Sequence, residues 1–244
     1  MRPQIGGWTA DHIGSSKFDP EGRSTVLRAS GMEPANGPRA ALSHVRWIGG
    51  GSGAAKSTVA RGLAKMHGAA LYDTDAVMRD HAARSTASEC PRLAAFMAMS
   101  MDERWVERSP QEMLDSFHWF AGEGFELIVA DLLDLPRDRP VIAEGFRLLP
   151  RLVAPLLTHR WQAVWLLPTP MFRRRAFDAR GTTRDIPNRT SDPRRALANL
   201  LERDALFTER LERETAALGL AAMRVDGTMA EDALIHAVSD RLFG

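Results

Sequence analysis

The stretch from His44 to Gly68 reads HVRWIGGGSGAAKSTVARGLAKMHG. It opens with a short apolar run that ends in glycines, which is typical of a strand entering a tight loop. From Lys56 the apolar residues recur at the spacing of an amphipathic helix, and Gly68 is placed to end that helix. Strand, glycine loop and helix in this order predict a unit that binds phosphate groups.

The glycine-rich stretch matches the Walker A pattern G-x-x-x-x-G-K-[ST] from Gly50 to Ser57, except that Ala55 stands where the second glycine belongs. In such a loop the backbone N–H groups converge on phosphate oxygens, Lys56 reaches the β- and γ-phosphates, and Ser57 ligates Mg²⁺. We expect the nucleotide to contact Gly50, Gly51, Ser52, Gly53, Ala54, Ala55, Lys56, Ser57 and Thr58. The Cβ of Ala55 would either weaken nucleotide affinity or remodel the loop slightly. The alternative is a strand-to-helix turn that binds nothing.

Four more short apolar runs follow this unit and alternate with helical patterns. They are AALY (69–72), PVIAEG (140–145), QAVWLL (162–167) and AAMRVDG (221–227). Five short strands that alternate with helices predict an α/β fold in which a parallel sheet is wrapped by helices in three layers.

Composition divides the chain into an extension and one domain. Residues 1–42 are rich in Gly, Pro, Ser and Asp without a regular period, so we predict a flexible N-terminal extension and a folded domain over 43–244. Within the domain, 76–135 reads as a helical arm, and 171–195 reads as a lid that Gly181 and Pro187 interrupt. A helix resumes at Pro193, with Ser191 or Asp192 as its cap.

Three carboxylates follow predicted strands at the edge where ligands bind in parallel sheets. Asp73 and Asp75 end the second strand, and Glu144 ends the third. One carboxylate of such a group can hold Mg²⁺ while another takes a proton from a hydroxyl or orients it. The alternatives are an Asx turn or helix cap for the aspartates and a plain loop acid for Glu144.

The total charge says little about partners, but its distribution is uneven. The 244 residues carry a net charge of +1, which excludes a globally basic nucleic-acid binder and an acidic disordered chain. Residues 101–138 carry 10 acidic residues and 3 Arg, whereas 147–195 carry 11 Arg and 3 Asp without Lys or Glu. Arg180, Arg184 and Arg189 flank the interrupted part of the lid, where closure over a triphosphate would neutralise developing charge. For 173–175 a solvated basic helix face is the favoured interpretation.

Other sequence features bear on the setting of the protein and on its arm. The single cysteine, Cys90, cannot form an intramolecular disulfide, and no apolar run is long enough to cross a membrane, so we expect a cytoplasmic protein. In the arm, Trp105 and Trp119 either belong to the core or stack on a ring of the acceptor, and His118 alone is weak evidence for a base.

Together these residues resemble the P-loop kinase superfamily, within its shikimate, gluconate and nucleoside kinase group. The resemblance runs from about Val45 to Phe243 and is carried by GGGSGAAKST, LYDTD, VIAEG, the arginine-bearing lid and the terminal RVDG strand. It implies a five-stranded sheet in the order 2-3-1-4-5, with Asp73 on the metal side and Asp75 as the base on the acceptor side. It names no substrate, because shikimate kinases carry a glycine triplet where this chain has Glu144, Gly145 and Phe146.

The leading hypothesis is an ATP- and Mg²⁺-dependent kinase that phosphorylates a hydroxyl group of a small molecule. Lys56 would hold ATP, Asp75 or Glu144 would orient the acceptor, and the lid arginines would stabilise the transferring group. Two alternatives stay open. Ala55 suggests a nucleotide-binding regulator without transfer activity, and the basic segment allows an RNA or polynucleotide 5′-hydroxyl kinase.

Overall fold

The computed structural model describes residues 37–181 and 183–244, and one five-stranded parallel sheet organises them. The strands lie side by side in the order β2-β3-β1-β4-β5, which is the order that the resemblance implied. Their bounds are β1 (Val45–Gly50), β2 (Ala70–Asp73), β3 (Val141–Glu144), β4 (Ala163–Pro168) and β5 (Ala221–Val225).

Burial along the strands follows from their place in the sheet. Every residue of β3 and β4 is buried, as expected for strands covered on both faces. The edge strands β2 and β5 alternate between more and less exposed residues. The bounds of the predicted strands agree with those of the observed strands to within one or two residues at each end.

Helices cover both faces of the sheet and complete three layers. On one face α2 and α12 pack on a core that contains Ile48, Val164 and Leu166. On the other face the arm helices and α11 pack on a core that contains Trp47 and Trp165. The helices are α1 (Gly37–Ala41), α2 (Lys56–His67), α3 (Met78–Arg84), α4 (Pro91–Ala98), α5 (Met101–Trp105), α6 (Pro110–Ser116), α7 (His118–Ala121), α8 (Phe125–Asp134), α9 (Pro150–Val153), α10 (Pro170–Arg180), α11 (Pro193–Leu218) and α12 (Glu231–Phe243).

The predicted helical arm consists of six short helices, α3 to α8. The lid segment comprises most of α10, a 3-10 turn at Pro187–Arg189 and the start of α11. Asp192 caps α11, because its Oδ1 accepts a hydrogen bond from the backbone N–H of Arg195 at 3.0 Å. Of the two cap residues that the sequence left open, Asp192 is therefore the one that caps.

The folded part starts earlier than the predicted boundary at Ser43. Residues 37–41 form α1, and the side chains of Ala41 and Leu42 are buried in the body of the protein. Five residues are too few to show a helical period, so no local pattern predicts α1. Residues 1–36 of the predicted extension lie outside the described part. Within that part, no helix is both long and apolar enough to cross a membrane.

Candidate active site

The glycine loop, residues 50–57, joins the end of β1 to the start of α2 at the centre of the sheet. The backbone N–H of Gly51 donates to the carbonyl oxygen of Leu166 on β4 at 3.1 Å, which anchors the start of the loop. Gly50 has a φ of 134°, and a Cβ there would overlap the same carbonyl. Position 50 therefore requires glycine.

Ala55 ends the loop in a left-handed conformation, with φ 61° and ψ 18°. Within the described residues it is the only non-glycine residue with a positive φ. An L-residue is strained there by roughly 1–2 kcal/mol relative to the right-handed form. The alanine therefore keeps the backbone turn that a glycine would make, at a cost in strain.

The loop and the start of α2 concentrate positive potential. The backbone N–H groups of residues 53–57 donate no hydrogen bond to any described residue. The Lys56 side chain is buried, and its Nζ donates to the carbonyl oxygen of Gly51 at 2.9 Å. A helix N-terminus with unpaired N–H groups and a lysine folded back over the loop has the features of an anion site.

The strand register brings the predicted carboxylates beside this loop. Asp73 and Glu144 are direct partners across β2 and β3, and Glu144 is also opposite Ile48 of β1. Asp73 makes the turn that the sequence allowed as an alternative, because its Oδ1 accepts from the backbone N–H groups of Asp75 and Ala76 at 2.8 and 3.2 Å. No described residue donates a hydrogen bond to its Oδ2.

Glu144 is a buried acid and Asp75 is a half-buried one, and three of their four carboxylate oxygens are buried without a hydrogen-bond partner. Glu144 is 1% exposed, and neither of its carboxylate oxygens makes a hydrogen bond of good geometry, although the Ser57 hydroxyl lies near enough to lower its pKa. The Oδ1 of Asp75 is likewise buried without a partner. Burial raises the pKa of Asp75 to about 6 and that of Glu144 to about 7, against the attraction of Lys56. Buried acids with such shifts beside a lysine are typical of active sites.

The oxygen donors at this point fit Mg²⁺. Magnesium is usually held by one or two carboxylates together with substrate phosphates and water. The Asp73 Oδ2, the Ser57 hydroxyl and the orphaned oxygens of Glu144 are donors of that kind. Among the described residues no group of three or more His, Cys, Asp or Glu side chains is arranged to hold a metal ion.

A buried network that sequence reasoning missed supports the aspartates from the arm side. Arg147 is 2% exposed, and its guanidinium donates to the carbonyl oxygens of Thr74 and Gly124 at 3.4 and 3.1 Å. It also lies 4.1 Å above the ring of Trp119 and 3.0 Å from Nδ1 of His81. Burial lowers the pKa of Arg147 to about 10, while the charge of Asp75 opposes that shift. The arginine therefore ties the turn before Asp75 to the arm.

Two of the three predicted lid arginines can be described. Arg184 and Arg189 are exposed, and the side chain of Arg180 lies outside the described residues. Burial, and then the charge of Arg189, lower the pKa of Arg104 in α5, so Arg189 lies towards the arm. The lid segment also touches the arm through Ser191, whose backbone N–H donates to Oδ1 of Asp102 at 2.8 Å.

The expected solvated face at 173–175 is wrong for one residue. Arg174 and Arg175 are exposed, but Arg173 is only 2% exposed and lies against the glycine loop. The apolar residues of α10, Phe172 and Phe177, are only half-buried, so helical spacing alone does not single out position 173.

The arm aromatics belong to the core. Trp105, His118 and Trp119 are all buried, and His118 packs on the rings of Phe96 and Phe117 with centroids 5.0 and 4.5 Å away. Burial lowers the pKa of His118 to about 3, and the charges of nearby arginines add to this shift. His118 is therefore neutral at pH 7 and packed among aromatic rings.

Comparison with known proteins adds little to this geometry. No family model matches the chain, and no curated protein matches it. Among solved structures it is similar to a deoxyadenosine kinase from M. mycoides with bound dATP, at 12% identity and a TM-score of 0.44, over 82% of this chain and 100% of that chain. A similarity this low carries no argument about activity, and the fold rests on the observed sheet order.

Proposed function

We propose that this protein is an ATP- and Mg²⁺-dependent kinase that transfers the γ-phosphoryl group to a hydroxyl of a small molecule. The observation that carries the proposal is the pair of acids beside Lys56, the half-buried Asp75 and the buried Glu144, which have three buried oxygens without a hydrogen bond of good geometry. A loop that merely turned the chain would need neither the acids nor the inward lysine, because buried charges cost free energy when they have no partner.

Each group has a role that its surroundings support. The N–H groups of the loop and Lys56 bind the phosphates, and Ser57 with Asp73 would hold Mg²⁺, which would supply positive charge beside the phosphates. The Oδ1 of Asp75 takes the proton of the acceptor hydroxyl. The new bond forms between the oxygen of the acceptor hydroxyl and the γ-phosphorus. The bond from the γ-phosphorus to the β,γ-bridging oxygen breaks, and ADP leaves. Glu144 lies beside Ser57 and orients the Ser57 hydroxyl.

The experiment is acceptor-dependent ADP release by the full chain with ATP and Mg²⁺. Sugars, polyol acids, nucleosides and aminoglycoside-like antibiotics are screened as acceptors, and product phosphorylation is checked by mass. Lys56→Ala is expected to abolish turnover and the binding of Mg²⁺–ATP. The matched control is Lys65→Ala, because Lys65 is exposed on the same helix. Full activity in Lys56→Ala, or no ATP binding by the wild type at millimolar concentration, would refute the proposal.

A further inference from the structure

Arg173 is directed inwards by the way α10 begins. The helix starts at Pro170, and the Thr169 side chain caps it by accepting from the backbone N–H of Phe172 at 3.3 Å. The backbone N–H of Arg173 then donates to the carbonyl oxygen of Thr169 at 2.9 Å. Proline and a threonine cap fix where a helix begins, and therefore which residues face the protein.

The stem of Arg173 lies against the middle of the glycine loop. Gly53 has a φ of 75°, and a Cβ there would lie 3.1 Å from Cγ and 3.4 Å from Cα of Arg173. With the positive φ, a Cβ at position 53 would be strained and would also require the arginine stem to shift by a few tenths of an ångström. The stem of the arginine is therefore in direct contact with the loop.

The guanidinium of Arg173 is buried without an adequate partner. The residue is 2% exposed, and its Nη1 is buried and donates to no described acceptor. Asp204 attracts it and Arg203 repels it, and burial lowers its pKa more than either charge affects it. The Oδ1 of Asp204 already accepts two hydrogen bonds from Arg203, at 3.0 and 2.6 Å. Two buried guanidinium groups thus share a single nearby carboxylate.

A buried cation with an unused donor is stabilised by an anion that arrives with the ligand. The unpaired N–H groups of the glycine loop lie beside the stem of the same arginine. We propose that Arg173 binds the phosphate groups of the nucleotide seated on the glycine loop. This inference rests on the proposed function and assigns to α10 a fixed cation that needs no lid closure. The exposed arginines at positions 174 and 175 take no part in it.

The test measures binding and stability separately in the full-length protein. Arg173→Met keeps the stem and removes the charge, Arg173→Lys keeps the charge without the planar fork, and Arg174→Met is the matched exposed control. Mg²⁺–ATP, ADP, adenosine and inorganic tripolyphosphate are titrated by calorimetry, and thermal unfolding is followed with and without each ligand. We expect Arg173→Met to bind ATP, ADP and tripolyphosphate about tenfold or more weakly and to bind adenosine as the wild type does.

The stability of the free protein separates this role from a structural one. Without ligand, Arg173→Met should unfold at the same temperature as the wild type or higher, because an under-compensated charge is removed. Its ligand-induced rise in unfolding temperature should shrink, and Arg173→Lys should recover part of the affinity. Unchanged affinity in Arg173→Met overturns the inference, as does a loss of affinity with a destabilised free protein that lysine does not rescue.

The same titrations distinguish failure of the inference from failure of the proposed function. If Lys56→Ala abolishes ATP binding while Arg173→Met does not weaken it, the kinase proposal stands and the role of Arg173 is wrong. If the wild type binds tripolyphosphate but no ATP, and Arg173→Met weakens that binding, the phosphate role stands and the kinase proposal fails. If the wild type binds neither ligand, both are wrong.

Discussion

Nη1 of Arg147 lies 3.0 Å from Nδ1 of His81, and this contact assigns the proton on the imidazole ring. Arginine can only donate, so Nδ1 accepts, and Nε2 carries the proton that it donates to Oδ2 of Asp131 at 2.8 Å. Burial lowers the pKa of His81, consistent with a neutral ring. A single tautomer thus links the arm helix α8 to the arginine that holds the turn before Asp75.

His81→Leu should destabilise the protein by about 2–4 kcal/mol, because it leaves a buried guanidinium and a carboxylate each short of a partner. Chemical denaturation at pH 7 measures the change. The control is Arg84→Ala, which removes an exposed ion pair with the same Asp131 and should cost less than about 1 kcal/mol. Equal effects of the two substitutions, or an NMR spectrum in which Nδ1 of His81 carries the proton, would contradict the assignment.

Ala55→Gly should stabilise the free protein by about 0.5–1 kcal/mol. Relief of the left-handed strain outweighs the greater chain entropy of glycine in the unfolded state. The neighbouring Ala54 is buried and has no positive φ, so Ala54→Gly is the matched control and should cost about 1 kcal/mol. Thermal unfolding of both variants shows whether each substitution raises or lowers the stability of the free protein. A loss of stability in Ala55→Gly would mean that alanine is not strained at this position.

The spacing of residues along the chain was sufficient to predict features whose residues are close together in sequence. The run from His44 to Gly68, the strand ends and the cap at Asp192 follow from residues within a few positions of one another. The three carboxylates could be placed at one edge of the sheet because parallel strands share that edge.

Features that depend on distant partners could not be predicted in this way. His81 contacts Asp131 50 residues away and Arg147 66 residues away, and no local period marks such a link. Arg173 was expected on a solvated face because arginine is almost never fully buried unless it is paired. The sequence pointed to the exposed arginines of the lid, and the inward one was found only from the packing of α10 on the loop.

His118 should make stability fall as the solution is acidified below pH 6.5. Its pKa is about 3 in the folded protein and about 6.5 when unfolded, so below pH 6.5 the unfolded chain binds a proton that the folded protein does not. The free energy of unfolding should therefore fall by about 1.4 kcal/mol per pH unit between these values. His118→Phe fits an aromatic site and removes this proton.

The measurement for His118 is the difference in unfolding free energy between His118→Phe and the wild type at pH 7 and at pH 5. Other groups titrate in both proteins and cancel in the difference. The wild type should lose about 2 kcal/mol relative to the variant over this interval. A difference that stays constant with pH would mean that His118 titrates with the same pKa in the folded and the unfolded protein.

Asp75 and Glu144 can be separated by substitutions that keep their shape and remove their charge. If Asp75 takes the proton of the acceptor hydroxyl, Asp75→Asn should lower kcat by about 10²- to 10⁴-fold and leave Mg²⁺–ATP affinity nearly unchanged. Glu144→Gln should act mainly on Mg²⁺–ATP affinity, because Glu144 lies against Ser57 and Lys56. Single-turnover transfer measured alongside ATP titration distinguishes the two effects.

The control is Asp80→Asn. The Asp80 side chain is 65% exposed on α3, so this substitution should leave both kcat and Mg²⁺–ATP affinity unchanged. The division of roles is wrong if both site variants lose kcat equally with affinity intact, because the two acids would then act as one unit on the acceptor.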